Sequence, residues 1–169
     1  DSTTSVSTAI TKRFSEADVI LLVDNAEQPM QAAPLAVLSS VGTSGNYGKL
    51  AVVFTHFDQV KGDNLPTPAA KREHILASVR NGITSLREVV GGGVANSLAR
   101  AGETNSYMLG ALQAKSNKLP GGVVKEIERL LHQFSDAIKP APPPSIAPVY
   151  NLVGLDFAIQ AATTKFQER

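Results

Sequence analysis

The sequence predicts an α/β fold with a mostly parallel sheet of about three strands. Apolar, β-branched runs at Ala17–Val23 and Leu50–Phe54 are typical of strands that are buried on both faces. Segments with apolar residues at helical spacing lie between and after these runs, and strands that alternate with helices imply right-handed crossovers and parallel pairing. We therefore expect a partial three-layer α/β/α domain, followed by a carboxyl-terminal helical extension.

The first part of the chain contains two predicted helices around the first strand. Ser2–Phe14 is polar but has apolar residues at helical spacing, which predicts a marginal amphipathic helix. The strand Ala17–Val23 follows, and Gln28–Val41 is the second predicted helix. Pro34 lies inside that helix, which predicts a kink or a late start. Gly42–Gly48 is a loop of small and polar residues that leads into the central strand.

After the central strand the chain is predicted to be mainly helical. Ala69–Val90 has apolar residues three or four apart, and Gly91–Gly93 is expected to end that helix. A short helix is predicted at Val94–Ala101. Ser106–Gln113 is the third predicted strand, and Gly121–Ile138 is a well-patterned amphipathic helix.

The predicted domain ends near residue 139. Pro140–Pro148 holds five prolines in nine residues and predicts a stiff linker, and Val149–Glu168 predicts a last helix. That helix either folds back on the domain or begins a further helical region, or it mediates self-association or partner docking. Its apolar residues follow a three-then-four spacing, as in a coiled-coil seam: Leu152, Leu155, Ile159, Ala162 and Phe166.

Composition excludes several classes of protein. The net charge of +1 gives no excess of positive charge to attract nucleic acid or an anionic membrane, so we expect no nucleic-acid partner. The absence of cysteine excludes disulfides and thiolate metal sites. No stretch is long and apolar enough to span a bilayer, and no secretory signal pattern occurs in these 169 residues. A cytoplasmic protein is the expectation.

Polar residues collect where two predicted strands end. Thr55-His56-Phe57-Asp58 follows the central strand, and Gly110-Ala111-Leu112 lies at the end of the third strand. In open α/β sheets, ligands bind outside the carboxyl ends of the strands, so we expect the functional site at this edge of the sheet.

These residues carry a resemblance to P-loop GTPases. Thr55–Asp58 is similar to the Asn/Thr-Lys-x-Asp motif that reads guanine, and Gly110–Leu112 is similar to the fifth motif of that family, Ser-Ala-Lys or Ser-Ala-Leu. Ala17–Asp24 resembles the strand that follows the second switch. From Ala17 to Ile138 the chain thus resembles the carboxyl-terminal half of a G domain. The long spacer between the two loops is similar to that of the dynamin-like, septin-like and immunity-associated branches.

The resemblance implies a role for each residue of the two loops. Asp58 would accept two N–H bonds from guanine, and the Ala111 N–H would reach the guanine carbonyl, with Gly110 allowing the close approach. Thr55 would brace its loop. His56 stands where the family has a lysine whose stem packs over the base. The implied nucleotide-binding residues are Thr55, His56, Asp58, Gly110, Ala111 and Leu112.

One departure from the family pattern changes what is expected of this chain. No Gly-x-x-x-x-Gly-Lys-Ser/Thr sequence occurs in it, so the phosphate cradle and the Mg²⁺ ligand of the family are absent. We expect a fragment whose parent binds GTP and Mg²⁺ and hydrolyses GTP as a conformational switch or mechanochemical GTPase. The expected partners are guanine nucleotide and the missing amino-terminal half of the same domain. The chain alone is expected to bind GTP weakly and not to hydrolyse it.

Other interpretations of the same residues stay open. Asp58 could simply begin a turn, and Asp24 could be a phosphoacceptor, because it also ends a buried strand. His74 and His132 lack partners at a clean ligand spacing, which argues against a metal site. The competing function is a non-catalytic α/β interaction module without nucleotide chemistry.

Overall fold

The structure is a computed structural model, and it describes residues 8–113 and 118–138. Helices and strands alternate along the chain, and the prediction of an α/β fold with a three-stranded parallel sheet is confirmed. The elements are α1 Thr8–Glu16, β1 Ile20–Asn25, α2 Ala32–Thr43, β2 Leu50–Thr55, α3 Pro68–Ser85, α4 Arg87–Val90, α5 Gly92–Thr104, β3 Ser106–Met108 and α6 Gly121–Ile138, with short 3₁₀ turns at Tyr47–Lys49 and Phe57–Gln59.

The strands lie in the order β1-β2-β3 and all run in the same direction. Ile20 pairs with Leu50 at one end of β1, and Asn25 pairs with Thr55 at the other. Phe54 pairs with Met108 in β3. The carboxyl ends of all three strands therefore meet at one edge of the sheet, where the loops after β2 and β3 are neighbours.

The sheet is covered on its two faces by different helices. On one face, the side chains of Leu22, Val52 and Phe54 belong to the larger core, to which α2, α3 and α5 contribute Leu38, Ile75 and Leu98, among others. On the other face, a smaller core joins β2 and β3 to α6 through Ala51, Val53, Tyr107, Leu109, Val123 and Leu130. This is a three-layer arrangement, as predicted.

The second face is only partly covered, because α6 packs over β2 and β3 and not over β1. Leu21 and Val23 project from β1 on the α6 side and are 45% and 56% exposed. The neighbouring side chains of β1 on the opposite face, Ile20 and Leu22, are buried. We call the exposed pair Leu21 and Val23 the bare face of β1.

The outer edge of β3 is capped by side chains. The Ser106 carbonyl oxygen accepts hydrogen bonds from Arg72 Nη2 at 3.0 Å and from Arg129 Nη2 at 2.8 Å. The Met108 N–H donates to Glu126 Oε2 at 3.1 Å, and Glu126 Oε1 pairs with both arginines. Charged side chains thus occupy backbone groups that an edge strand otherwise leaves open to another strand. We call Arg72, Glu126 and Arg129 the β3 clasp.

Several predicted boundaries are wrong. The third strand ends at Met108 rather than at Gln113, because the chain turns at Ala111, whose φ is +54°. The predicted helix Ala69–Val90 is two helices, which are separated at Leu86. The first strand runs from Ile20 to Asn25, later than predicted.

Other details of the helices follow from proline and glycine. The second helix begins at Ala32, which places Pro34 in its first turn, where proline is tolerated, so the expected late start is confirmed. Gly91 has φ +86° and ends α4 as predicted. Gly92 and Gly93, predicted as loop, instead begin α5, which is longer than the expected Val94–Ala101 helix.

Some predictions lie outside the described residues. These are the linker 140–148, the final helix 149–169 with its apolar seam and its self-association, and the first residues of the amino-terminal helix. Among the helices within 8–113 and 118–138, none has the length and apolarity required to cross a bilayer.

Glu126 provides a test of the β3 clasp. We expect Glu126→Ala to lower the free energy of unfolding by about 1–3 kcal/mol, because it leaves the Met108 N–H without its acceptor and removes the carboxylate that pairs with both arginines. Glu128→Ala, an exposed change on the same helix, is the matched control and should stay within about 0.5 kcal/mol of the unmodified chain. Urea unfolding followed by circular dichroism measures both. Equal midpoints for the two variants would show that the clasp contributes nothing.

Candidate functional site

The loops after β2 and β3 are joined by hydrogen bonds at the carboxyl edge of the sheet. The Phe57 N–H donates to the Leu109 carbonyl oxygen at 3.1 Å, and the Ala111 N–H donates to Asp58 Oδ1 at 2.7 Å. The second bond links residues 53 positions apart in the chain. Two motifs that the sequence places in separate loops are therefore in direct contact.

Gly110 is required for this contact. A Cβ atom at Gly110 would lie 2.7 Å from the Asp58 backbone nitrogen and 2.8 Å from Asp58 Oδ1. Separations below 3.0 Å are too short for a real Cβ atom, so any larger residue would push the two loops apart. Only glycine allows the backbone to approach Asp58 so closely.

The backbone at the site adopts an uncommon conformation in both loops. Among the described residues, three non-glycine residues have a positive φ, and two of them are His56 at +58° and Ala111 at +54°. The left-handed region costs an L-residue about 1–2 kcal/mol, so surrounding contacts must hold it in place. Such residues cluster at ligand-binding sites, and here they flank Asp58 on both sides of the contact.

Thr55 connects the loop after β2 to β1. Its hydroxyl donates to the Asp24 carbonyl oxygen at 3.1 Å, and its carbonyl oxygen accepts from the Ala26 N–H at 2.9 Å. His56 Nδ1 lies 3.1 Å from Thr55 Oγ1. Which of the two atoms donates in this contact depends on the tautomer of the imidazole.

The six sequence-predicted site residues line one small cavity of about 120 Å³. We call it the base cavity. Leu112 is 49% exposed, and the Asp58 side chain is also exposed. The wall consists of Thr55, His56, Asp58, Gly110, Ala111, Leu112 and Gln113. Gln113 was not indicated by the sequence, because it lies outside the Gly110–Leu112 motif.

Asp24 has a structural role in the loop after β1. One carboxylate oxygen accepts the Asn25 N–H and the other accepts the Met30 N–H, each at 2.8 Å. Met30 is the third non-glycine residue with a positive φ, at +59°. Both oxygens are thus engaged with backbone groups that shape the turn, which is not the arrangement that a phosphoacceptor carboxylate needs.

A larger cavity of about 450 Å³ lies next to the base cavity and shares Asp58, Gly110 and Ala111 with it. We call it the α3/α6 cavity, because residues from the first turns of α3 and α6 form its opposite walls. Sequence reasoning missed it. Its walls come from four segments that are far apart in the sequence, and of its lining residues only Asp58, Gly110 and Ala111 were indicated by the sequence.

Metal ligation finds no support in the described part of the chain. Within residues 8–113 and 118–138, no group of three or more His, Asp or Glu side chains is arranged to hold a metal ion. His74 lines a separate, polar cavity beside Glu27 and Lys61, and His132 is an exposed residue of α6.

Comparison with known proteins returns no match: no protein-family model, no curated protein and no solved structure is significantly similar to this chain. Functional inference therefore depends on the residues and on their geometry.

Gly110→Ala tests the close approach of the two loops. Its new Cβ would collide with the Asp58 backbone, so we expect a loss of about 1–3 kcal/mol in the free energy of unfolding and a displaced Ala111 amide resonance. Gly48→Ala is the matched control, because a Cβ there meets nothing within 4 Å. Denaturation and amide NMR spectra measure the two effects. Identical behaviour of both variants would contradict the proposed need for glycine.

Proposed function

We propose that this chain forms the base-recognition part of a guanine-nucleotide-binding domain. The observation that carries the proposal is the contact between the Asp58 carboxylate and the Ala111 N–H, 2.7 Å apart at the carboxyl edge of a parallel sheet. A carboxylate beside an exposed backbone donor is the pair of groups that the edge of guanine requires. It also lies where ligands bind in open α/β sheets.

The order of donors and acceptors selects guanine over adenine. Guanine presents a carbonyl oxygen beside a ring N–H and an amino group, which complement the Ala111 N–H and the Asp58 carboxylate. Adenine presents an amino group and a bare ring nitrogen at the equivalent positions. Its donor would face the Ala111 donor, and its lone pair would face the carboxylate. Leaving a polar group unpaired costs about 1–3 kcal/mol when the bound base shields that group from water, and less where it stays exposed, as Asp58 is in the absence of a ligand.

The Asp58 carboxylate and the Ala111 N–H are hydrogen-bonded to each other in this structure. That hydrogen bond must break when a base binds to both groups. One hydrogen bond between Asp58 and Ala111 would be replaced by bonds from guanine to both groups. Such an exchange keeps every polar group paired, so it costs little free energy. An apolar ring without complementary groups could not break the bond at the same low cost.

Thr55 and His56 support the proposal through position rather than through direct reading of the base. Thr55 ties the loop to β1, as its bracing role requires. His56 lines the base cavity, and its imidazole offers a flat surface on which a base can stack. Unlike the lysine of the family pattern, it has no permanent charge.

Phosphate binding and hydrolysis are not assigned to these residues. The chain contains no P-loop sequence, and among its described residues no group of three or more His, Asp or Glu side chains is placed to hold a metal ion. In the proposal, GTP hydrolysis with Mg²⁺ is the property of a parent whose phosphate-binding groups lie beyond these 169 residues. A cytoplasmic location of that parent is part of the proposal.

The proposal also includes the other half of the domain, and β1 supports this part. The Asp24 carbonyl oxygen and the Ala26 N–H both face β2. Backbone polar groups of successive strand residues point in opposite directions, so the N–H and carbonyl groups of Leu21 and Val23 face away from the sheet. In the described part of the chain β1 lies at the edge of the sheet, and β2 is its strand partner. An additional strand can pair there.

The second face has room for a helix beside this strand. Val124, Leu131 and Ile138 are exposed and seven residues apart, so they share one flank of α6. Glu126 and Arg129 reach the outer edge of β3, so the apolar flank faces the β1 side. Together with the bare face of β1, it forms an apolar trough that a helix from the remaining half of the domain would fill.

The second candidate is an interaction module without nucleotide chemistry. The same open edge and trough favour it, because both suit a partner protein as well as a missing half. Nucleotide titration separates the candidates, since a module of this kind does not discriminate between bases.

The decisive test is base discrimination by Asp58. We expect GMP to shift the amide NMR signals of Asp58 and Ala111, with binding in the millimolar range because phosphate contacts are lacking. AMP should bind at least fivefold more weakly. Asp58→Asn should weaken GMP binding at a cost of about 1–3 kcal/mol and shift the preference to XMP, whose extra carbonyl pairs with an amide donor.

Asp63→Asn is the matched control, because it makes the same change at an exposed loop position outside the cavity. It should leave the order of the three nucleotides unchanged. If AMP competes as well as GMP, or if Asp58→Asn leaves the order untouched, Thr55–Asp58 is an ordinary turn and the interaction module is favoured.

A second test concerns β1. We expect the double change Leu21→Thr and Val23→Thr to alter the free energy of unfolding by no more than about 0.5 kcal/mol, because these side chains are exposed. Leu22→Thr in the same strand should cost about 2–4 kcal/mol, because it buries a hydroxyl and leaves a void. Urea unfolding measures both. Equal losses would show that the face is already covered and that no missing half is needed there.

A further inference from the structure

The α3/α6 cavity has the size and lining of a small-molecule site. Its volume of about 450 Å³ lies within the usual range of about 300–1,000 Å³ for ligand pockets. Most of its wall is apolar: Met108 and Val123 are buried, and Phe57 is partly buried. Pro68 and Pro120 also line it and are exposed to solvent.

Four charged side chains line this cavity, and three of them are already engaged. Arg72 and Glu126 pair at 3.3 Å and also hold the edge of β3, and Asp58 accepts the Ala111 N–H. Lys71 is the fourth. It is partly buried, and its ammonium group has no ion pair within the described residues.

We propose that the α3/α6 cavity binds an apolar carboxylate, such as a medium-chain fatty acid. The chain lies against Met108, Val123 and Phe57, and the carboxylate pairs with the Lys71 ammonium group. A neutral apolar compound would leave Lys71 unused, and a highly charged ligand would meet Asp58 and Glu126. One negative charge on an apolar body is the chemistry that this set of side chains complements.

This site shares Asp58, Gly110 and Ala111 with the base cavity, but the groups proposed to bind its ligand are different. The nucleotide reading needs Asp58 and Ala111, whereas the carboxylate needs Lys71 and the apolar wall. The base-recognition proposal and the carboxylate proposal can be refuted separately, because GMP titration and fatty-acid titration use different probes and different variants.

The experiment compares decanoate with decanol, which has the same chain without the charge. We expect decanoate to shift the amide NMR signals of Phe57, Gly122 and Val123 in the full chain. Decanol should bind at the same place about fivefold more weakly, as loss of a partly exposed ion pair predicts. Hexanoate should bind at least tenfold more weakly than decanoate, because it buries less apolar surface.

Two variants locate the binding. Lys71→Met should remove the preference for decanoate over decanol, whereas Lys125→Met, an exposed lysine of α6 outside the cavity, should keep it. Ala69→Trp changes an exposed residue at the cavity wall, so it blocks the space without disturbing the core and should weaken both ligands at least tenfold. Amide spectra confirm that each variant is folded.

The contrary results are equally specific. Decanoate shifts confined to Leu21 and Val23 would place the binding on the bare face of β1 and overturn the proposal. Equal decanoate affinity in the unmodified chain, Lys71→Met and Ala69→Trp would also overturn it.

Discussion

Parallel pairing of β2 with β3 is the constraint on which the candidate site depends. Phe54 pairs with Met108, so the carboxyl ends of both strands lie at the same edge of the sheet. The loops that follow the two strands are therefore held next to each other, although three helices separate them in the chain. The hydrogen bond between Asp58 and Ala111 is the local result. Any change that slips β3 along β2 would separate these two residues before it unfolded the domain.

The two edges of the sheet differ in chemistry. At β3 a short strand is covered by charged side chains from α3 and α6, which bind its outward backbone groups. At β1 the outward groups and the apolar side chains of Leu21 and Val23 remain available. This difference explains how one strand can be ready for a partner while the rest of the fold is protected against one.

Much of the fold follows from local sequence, and the misses have local causes. Leu50–Phe54 is a continuous apolar run, and such runs predict buried strands well. The end of β3 was misplaced because Tyr-Met-Leu-Gly-Ala-Leu continues an apolar pattern through a turn, and the pattern does not reveal that Ala111 adopts a positive φ. The break at Leu86 was missed for a related reason, since no proline or glycine marks it.

The residues of the candidate site could be predicted from the sequence, but the contacts between them could not. Strand ends indicated Asp58 and Ala111 separately, yet only the packed sheet shows that they bind each other. The β3 clasp and Lys71 could not be found in advance, because they depend on how α3 and α6 lie against one strand. Such contacts arise from tertiary packing between distant segments, which periodicity does not encode. The nucleotide-binding roles stay predictions.

The clasp on β3 has a consequence for assembly. A sheet with two open edges can add copies at both ends and grow without limit, whereas this sheet can be extended at β1 alone. Two copies that met through their β1 strands would form a symmetric pair with a sealed β3 on each side. Nothing further could add to that pair by strand pairing. While β1 is unpaired, the arginines and glutamate of the clasp therefore limit a continuous sheet to two copies, and pairing of β1 with the missing half of the domain would exclude even that pair.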